Sequence, residues 1–450
     1  MSAVVESDRA SPSQRIALLA RGEMERCLLW HQGRRVTARE FLAEVVALAD
    51  QLPSSRYAVN LCADRYRFLV AFSAAMVAGK TNLLPASRAP QAIAEVMRVY
   101  GDSFALADDA LDAPPPRLFA PRQSRHGDKA AVAMPQIAAG QTVAIGFTSG
   151  STGQPKANPK TWSGFCASTA LNAALLCAEP APNIVATVPP QHMYGLELSV
   201  LLPLRSAAAI HSGQPFFPAD IAQALREVPA PRLLVTTPVH LRALLREAPD
   251  LPPLDAIVCA TAPLDAQLAR TAEARYGTRL IEVFGSTETC VIASRRTAHA
   301  SAWSLYDGIS LQPQPDGTLV EAAHFAAPTP LQDIVELLPS QQFILCGRNG
   351  DLLEIAGKRA SLGELNRRLL AIAGVEDGVV FALDAAANGV GRVAALVVAP
   401  TLHESDILAQ LRLALDPVFL PRPLRRVPAL PRNAAGKLPR EALLEALRKA

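Results

Sequence analysis

Hydroxyls, glycines and a lysine are gathered in the run Phe147-Thr148-Ser149-Gly150-Ser151-Thr152-Gly153-Gln154-Pro155-Lys156. Small residues let backbone N–H groups approach an anion, and hydroxyls with an ammonium add further donors. That chemistry suits the β- and γ-phosphates of a nucleotide. The spacing is not that of a Walker A loop, G-x-x-x-x-G-K-[ST], because Gly150, Gly153 and Lys156 stand three apart. A flexible Gly/Ser linker is the alternative reading. The apolar run Val143 to Phe147 speaks against it, since it reads as a buried strand delivering the loop.

Such a loop needs layers to hold it, and the pattern around it supplies them. Apolar periodicity predicts helices over 36–52, with Phe41, Val45, Leu48 and Leu52 on one face, and over 65–78, ending at Gly79. Residues 110–135, rich in Pro, Arg and Asp, read as a surface connection. Beyond the loop, helices are expected at 161–178, 238–247 and 264–276. Strands are expected at 184–188, 232–237, 256–260 and 280–284. This alternation predicts an α/β fold of layered, largely parallel sheets and helices. After about residue 347 the texture changes. A short strand pair near 352–359, a helix from Leu362, strands at 378–384 and 392–399 around an Asn388-Gly389 turn, and helices at 404–415 and 439–449 form an α+β module of about 100 residues.

Length and composition bound the function. A chain of 450 residues, half of them hydrophobic, has enough material for two or three domains. A net charge of +3 and an aromatic content of 5% give no basis for nucleic-acid binding. Seven scattered cysteines, odd in number and without a C-x-x-C pair, suggest buried free thiols in a reducing compartment and argue against zinc. The N-terminus, with Glu6, Asp8 and Arg9, is no signal peptide, and the longest apolar stretch, 68–79, is too short to span a bilayer. The expectation is a soluble cytoplasmic protein without a membrane span.

Five separated segments together resemble the adenylate-forming superfamily of acyl- and aryl-CoA ligases, peptide-synthetase adenylation domains and luciferases. The glycine loop matches its pyrophosphate loop, which implies nucleotide contacts at Thr148, Ser149, Gly150, Ser151, Thr152, Gly153 and Lys156. Phe284-Gly285-Ser286-Thr287-Glu288 is similar to aromatic-G-x-T-E: Phe284 and Gly285 would meet the adenine, Thr287 the α-phosphate, and Glu288 a Mg²⁺ ion. A carboxylate beside a phosphate is best explained by a metal between them. Asp333, in Leu331-Gln332-Asp333 rather than T-G-D, stands fourteen residues before Gly347-Arg348. The resemblance gives Asp333 and Arg348 to the ribose and phosphates. Gly347 to Asp351 and Gly357 to Glu364 resemble G-R-x-D-D…G-x-R-I-x-x-x-E. There Gly350 replaces the usual hinge side chain, Gly357 would line a phosphopantetheine tunnel, and Ser361 with Glu364 also forms a capping box. Pro431 to Arg440 is similar to P-x-x-x-x-G-K-x-x-R, which makes Lys437 the catalytic lysine.

The resemblance runs from about residue 36 to 440. It implies a large N-terminal domain (1–346) and a small mobile α+β C-terminal domain (347–450), with a hinge near Gly350. It implies activation of a carboxylic acid by ATP and Mg²⁺ to an acyl-adenylate, then transfer to a thiol of coenzyme A or an acyl carrier protein. Lys437, Thr287 and Glu288 would carry the catalysis, with Glu288 on the metal. Pro190 to Gly195 and Ala260 to Leu264 fall where relatives line the acyl pocket, which names His192, Tyr194, Cys259 and Ala260. His192 is equally readable as a packed histidine. These residues favour an aromatic or medium acyl acid. An amino acid is disfavoured, for want of an aspartate to meet an α-amine. Arg422, Arg425, Arg426 and Arg432 crowd one stretch, either as a solvated basic strand or as contacts to coenzyme A phosphates or a carrier protein. A non-catalytic nucleotide-binding relative, acting as sensor or scaffold, is the alternative function.

Overall fold

The computed structural model describes residues 14–20, 23–85, 88–120, 133–149, 155–315, 317–348, 352–355, 358–383, 392–433 and 436–450. The chain divides into two compact units. One holds residues 1–301, 305–309 and 322–327, and the other 302–304, 310–321 and 328–450.

A short antiparallel pair, Arg15–Ala17 with Gln136–Ala138, and two large sheets lie in the first unit. One runs in the order Pro155–Thr161, Thr142–Ser149, Thr81–Leu84, Tyr57–Asn60, Ser103–Leu106 and Leu118–Phe119. Its pairings are parallel except for the hairpin between Thr142–Ser149 and Pro155–Thr161. The other runs Cys290–Arg295, Arg279–Ser286, Ala256–Cys259, Arg232–Thr236, Asn183–Ala186, Ala209–His211, Cys27–His31 and Arg34–Thr37. Its middle strands are parallel and its two ends turn antiparallel. Asn183–Ala186 and Ala256–Cys259 are buried at every position, as strands covered on both faces must be. Val185, Leu234, Ile257 and Leu280 pack there against Ile221, Leu241, Leu244 and Ala269 from the flanking helices. Each of the valine, leucine and isoleucine side chains contributes about 1.5–3 kcal/mol through burial.

Helix starts follow from side-chain caps. Thr37 accepts from the Glu40 N–H while Glu40 reaches back to the Thr37 N–H, so the helix expected over 36–52 spans Ala38–Ala49 and Arg34–Thr37 is a strand. Asp64, Thr161, Thr237 and Asp265 cap Arg65–Val77, Trp162–Leu176, Pro238–Glu247 and Ala266–Tyr276 by accepting from first-turn N–H groups. The Pro155–Thr161 strand is absent from the sequence expectation. It carries two prolines and no apolar alternation, which an edge strand tolerates because one row of its N–H groups needs no partner.

In the second unit, Asp333–Leu338 pairs antiparallel with Gln342–Arg348, Trp303 and Ser304 pair with Phe343 and Gln342, and Thr318 to Val320 pair with Leu331 to Thr329. The sequence reading left all of 302–348 without elements. The hairpin Leu352–Ile355 with Lys358–Ser361 leads to the helix Leu362–Leu370, as expected. Asp377–Leu383 and Arg392–Val398 pair antiparallel, and Leu424–Arg426 adds in parallel. Leu365, Val380, Val393, Ile407 and Leu411 fill one face of that sheet, and Phe381, Leu396, Leu430 and Leu443 the other. The helices Glu404–Ala414 and Arg440–Lys449 match expectation. The Asn388-Gly389 turn lies outside the described residues.

Candidate active site

The hairpin of the first sheet sets the register of the site. Thr148 lies opposite Lys156, Gly146 opposite Asn158 and Ala144 opposite Lys160, so these residues share one face. Asn158, buried on that face, donates through its amide to the carbonyls of Gly146 (3.3 Å) and Lys156 (3.1 Å) and to Thr148 Oγ1 (3.4 Å). Gly146 is bare because Thr287 occupies the space: a Cβ there would stand 2.6 Å from the Thr287 methyl group. Gly150, Ser151, Thr152 and Gly153 lie outside the described residues, as does the side chain of Ser149, while Lys156 is exposed.

The strand Arg279–Ser286 turns sharply into Cys290–Arg295. Gly285 makes the turn possible, since a Cβ there would fall 2.1 Å from the Cys290 carbonyl oxygen. Ser286 Oγ accepts from the N–H groups of Glu288 and Thr289, both at 3.2 Å, which folds Thr287 and Glu288 over the hairpin face. Thr148 Oγ1 then donates to Glu288 Oε1 at 3.4 Å, and the Lys160 ammonium donates to the main-chain oxygen of Glu288. Thr148, Thr287 and Glu288 are therefore brought together by the tertiary structure. Phe284 is half-buried and Gly285 exposed at the same turn. Glu288 and Thr148 offer a carboxylate and a hydroxyl at one point. Such oxygen donors fit a Mg²⁺ ion that keeps the rest of its shell for phosphate and water.

Behind this turn stands Glu197, which the sequence reading missed. It lies 1% exposed in a buried π-helical turn, Glu197–Leu201, among mostly apolar residues. Its carboxylate accepts from the Val291 N–H at 3.1 Å, from Ser168 Oγ at 3.0 Å and from Asn172 Nδ2 at 3.2 Å. Burial pushes its pKa up to about 7, against the pull of those donors and of Lys160. An acid flanked by Leu196 and Leu198 was the available signal. Arg65 is likewise fully buried and ties the carbonyls of Ala186 and Val188 (3.0 and 2.9 Å) to the Ser199 hydroxyl.

His192 and Tyr194 lie beside the carboxyl ends of the parallel strands, where α/β sheets receive ligands. Both are half-buried. The Tyr194 hydroxyl is shared between the carbonyls of Thr236 (3.1 Å) and Val258 (3.0 Å), and burial holds its pKa well above the usual value. Cys259 packs in the core with Leu264 and Leu280, and Ala260 is nearly as buried. Thr187 Oγ1 lies 3.1 Å from Thr236 Oγ1 and 2.9 Å from His240 Nδ1, a buried polar cluster at these strand ends that the sequence did not reveal.

In the second unit, Asp333 and Arg348, which stands next to Gly347 in the chain, become direct cross-strand partners. Asp333 is 8% exposed, and the Arg348 side chain lies outside the described residues, as do Gly350 and Gly357. Lys437 is exposed. Of the four clustered arginines, Arg425 pairs with Glu404 (3.3 Å), Arg426 donates to the Pro400 carbonyl (3.1 Å) and Arg432 forks onto Asp377. Those contacts favour the local over the partner-binding reading of the cluster.

An α/β body whose phosphate-type hairpin meets a threonine–glutamate turn defines a nucleotide-handling protein. The model of the AMP-binding enzymes matches residues 9–318, and the chain belongs to that family. It is similar to a 4-coumarate–CoA ligase of Rhodobacter capsulatus, at 33% identity over 65% of this chain and 74% of that protein. Similarity extends to a sulfoacetate–CoA ligase of Cupriavidus necator, at 25% identity over 66% of each chain. A further match is enterobactin synthase component F of Escherichia coli, 38% identical over 25% of this chain and 9% of that one. Among solved structures, the o-succinylbenzoate CoA synthetase of Bacillus subtilis in complex with its acyl-adenylate intermediate superposes with a TM-score of 0.80 at 17% identity, over 96% and 98% of the two chains. An anthranilate CoA ligase in complex with anthranoyl-AMP gives 0.80 at 15%, over 98% and 99%. The adenylate-forming fold is thus the one expected from the sequence, and the enzyme reading is favoured over a non-catalytic scaffold. Among the described residues no helix is long and apolar enough to cross a membrane.

Proposed function

We propose that this chain uses ATP to convert a carboxylic acid to an acyl-adenylate and passes the acyl group to the phosphopantetheine thiol of coenzyme A or an acyl carrier protein. The observation that carries this reading is the meeting of Thr148, Thr287 and Glu288 over the Gly146 face, in a chain of the AMP-binding enzyme family. In the first step a carboxylate oxygen bonds to the α-phosphorus and the bond to the β-phosphate oxygen breaks, releasing pyrophosphate. In the second the thiol sulfur bonds to the acyl carbon, AMP leaves and the thiol proton is lost.

Thr287 would hold the α-phosphate, and the glycine loop with Lys156 the departing pyrophosphate. Mg²⁺, held by Glu288 and reached by Thr148, would supply neutralising charge to the phosphates. Phe284 and Gly285 would face the adenine, and Asp333 with Arg348 the ribose. Lys437 would offset the negative charge shared by substrate carboxylate and α-phosphate. His192, the Tyr194 ring, Cys259 and Ala260 would shape an acyl pocket for an aromatic or medium acyl acid, a choice supported by similarity to a ligase named for coumarate. A small domain from residue 347, hinged near Gly350, would present Lys437 for the first step and Gly357 for the second.

The test is carboxylate-dependent ATP–pyrophosphate exchange across cinnamic, benzoic, hydroxybenzoic, fatty and amino acids, followed by thiol capture with coenzyme A or a carrier protein. Exchange with one aryl or acyl class is expected. Silence across the panel with folded protein and Mg²⁺ present would overturn the reading.

A further inference from the structure

The segment that carries Lys437 is tied at its ends and anchored from both sides. The Asn433 N–H donates to the Lys437 carbonyl (2.8 Å), the Lys437 N–H donates to Asn433 Oδ1 (2.9 Å), and the Gly436 N–H donates to the Asn433 carbonyl (2.8 Å). Gly436 has φ +75°, a conformation natural to glycine, immediately before the lysine. Arg432 reaches two ways. Its Nε and Nη2 meet Asp377 at 3.2 and 2.9 Å, while Nη1 donates to the Gly436 carbonyl at 2.9 Å. On the other side of Lys437, Arg440 Nη1 donates to the Ala382 carbonyl at 2.9 Å. Asp377 and Ala382 stand near opposite ends of the strand Asp377–Leu383. The lysine segment is therefore strung between two guanidinium groups hooked to one strand.

The two anchors differ in kind. Arg440 holds a neutral carbonyl at the surface. The Arg432–Asp377 pair is bidentate and only 17% and 20% exposed, so it is geometrically selective and shielded from water. The same guanidinium then bonds the carbonyl one residue before Lys437, so any shift of the pair moves the lysine backbone directly.

We infer that Asp377 and Arg432 are positioning residues for Lys437: their ion pair sets where the lysine ammonium stands during acyl-adenylate formation. This inference rests on the reading of Lys437 as the adenylation lysine. A group that acts through Lys437 matters only in the step that uses the lysine. A pair that merely stabilises the module affects both steps alike.

The experiment measures the two half-reactions of the full chain separately: ATP–pyrophosphate exchange at saturating substrates, and thioester formation from chemically prepared acyl-adenylate. For Asp377→Asn and for Arg432→Lys the exchange rate should fall about 100-fold, the scale of a slight misplacement of a reacting group. The KM for ATP and the thioester rate should hold. In a Lys437→Ala background, Asp377→Asn should cause no further loss of exchange. Arg432→Lys keeps the charge and the fold while losing the fork, so it carries the test where Asp377→Asn fails to fold. Equal losses in both half-reactions, or unaltered exchange in both variants while Lys437→Ala is impaired, would overturn the positioning role alone. Unaltered exchange in Lys437→Ala would overturn the lysine reading, and this inference with it.

Discussion

The Thr287–Glu288 turn and the Asn433–Lys437 segment are held in opposite ways. Ser286 folds the first from within, Lys160 grips the Glu288 carbonyl from the hairpin, and the buried Glu197 carboxylate catches the Val291 N–H just beyond. Three elements converge on it, one of them through a charge that burial makes expensive. The second is exposed at Lys437 and is held by its own backbone bonds, one half-buried ion pair and the Arg440 bond to the Ala382 carbonyl. A group that must present fixed oxygens gains from a rigid, buried setting, since no reorganisation is then needed. A lysine proposed to serve one of two steps is better carried on a surface segment that can be withdrawn.

The largest effect expected is at the exposed end. Lys437→Ala should lower exchange about 10²- to 10³-fold, the scale for losing one group that stabilises developing charge. ATP binding, followed by calorimetry, should persist. Loss of both together would mean the lysine serves binding, and the contrast between a fixed turn and a step-specific lysine would collapse.

Glu197 tests the buried end. Its folded-state pKa of about 7 stands above the ordinary 4.5, so the folded protein holds this proton where the unfolded chain has lost it. The contribution is fully present below 4.5 and declines as pH rises through about 7, by up to about 3 kcal/mol at this site. Lys160, Cys290 and Tyr306 are the titratable groups around it. Glu197→Gln removes the titration, so denaturant unfolding at pH 5 and pH 8 should find the variant gaining on the parent at the higher pH. Parallel stabilities would show that the neighbouring donors, not burial, govern this carboxyl.

Gly146→Ala sharpens the comparison by pressing most closely on Thr287. The new methyl would meet the threonine methyl at 2.6 Å and Met193 Cε at 3.3 Å. Overpacking of that kind costs about 1–3 kcal/mol, and exchange should fall more steeply than the thermal midpoint. A proportionate fall in both would mean the turn yields as a whole. The smallest effect belongs to Arg425→Ala. Its partner Glu404 is 38% exposed, and such pairs contribute about 0–1 kcal/mol. Coenzyme A or carrier-protein kinetics that suffered a large loss in this variant would restore the basic stretch as a partner surface.

Much of the fold was legible because its signals are local. The apolar helical face of Phe41, Val45 and Leu48 and the apolar runs at 184–186 and 256–259 announce their elements without reference to the rest of the chain. The Pro155–Thr161 strand and the strands of 302–348 gave no such sign. Their pairing is decided by a neighbour already in place, which lets an edge strand carry Pro159 and lets short, half-exposed strands form with little apolar pattern.

By itself the sequence determined a glycine- and hydroxyl-rich loop whose residue types have their own chemistry. Through resemblance to a family it singled out the Phe284–Glu288 segment and the lysine near the C-terminus, because their order along the chain can be read locally. Only the tertiary structure decided that Gly146 is bare to admit Thr287, that Glu197 lies buried behind the Thr287–Glu288 turn, and that Asp333 stands opposite Arg348. It alone also revealed that Arg432, in a stretch readable as solvated charge, holds Asp377 from 55 positions away. Register, burial and ion pairing arise between segments distant in the chain, and no local pattern of residue types encodes the distance that separates them in space.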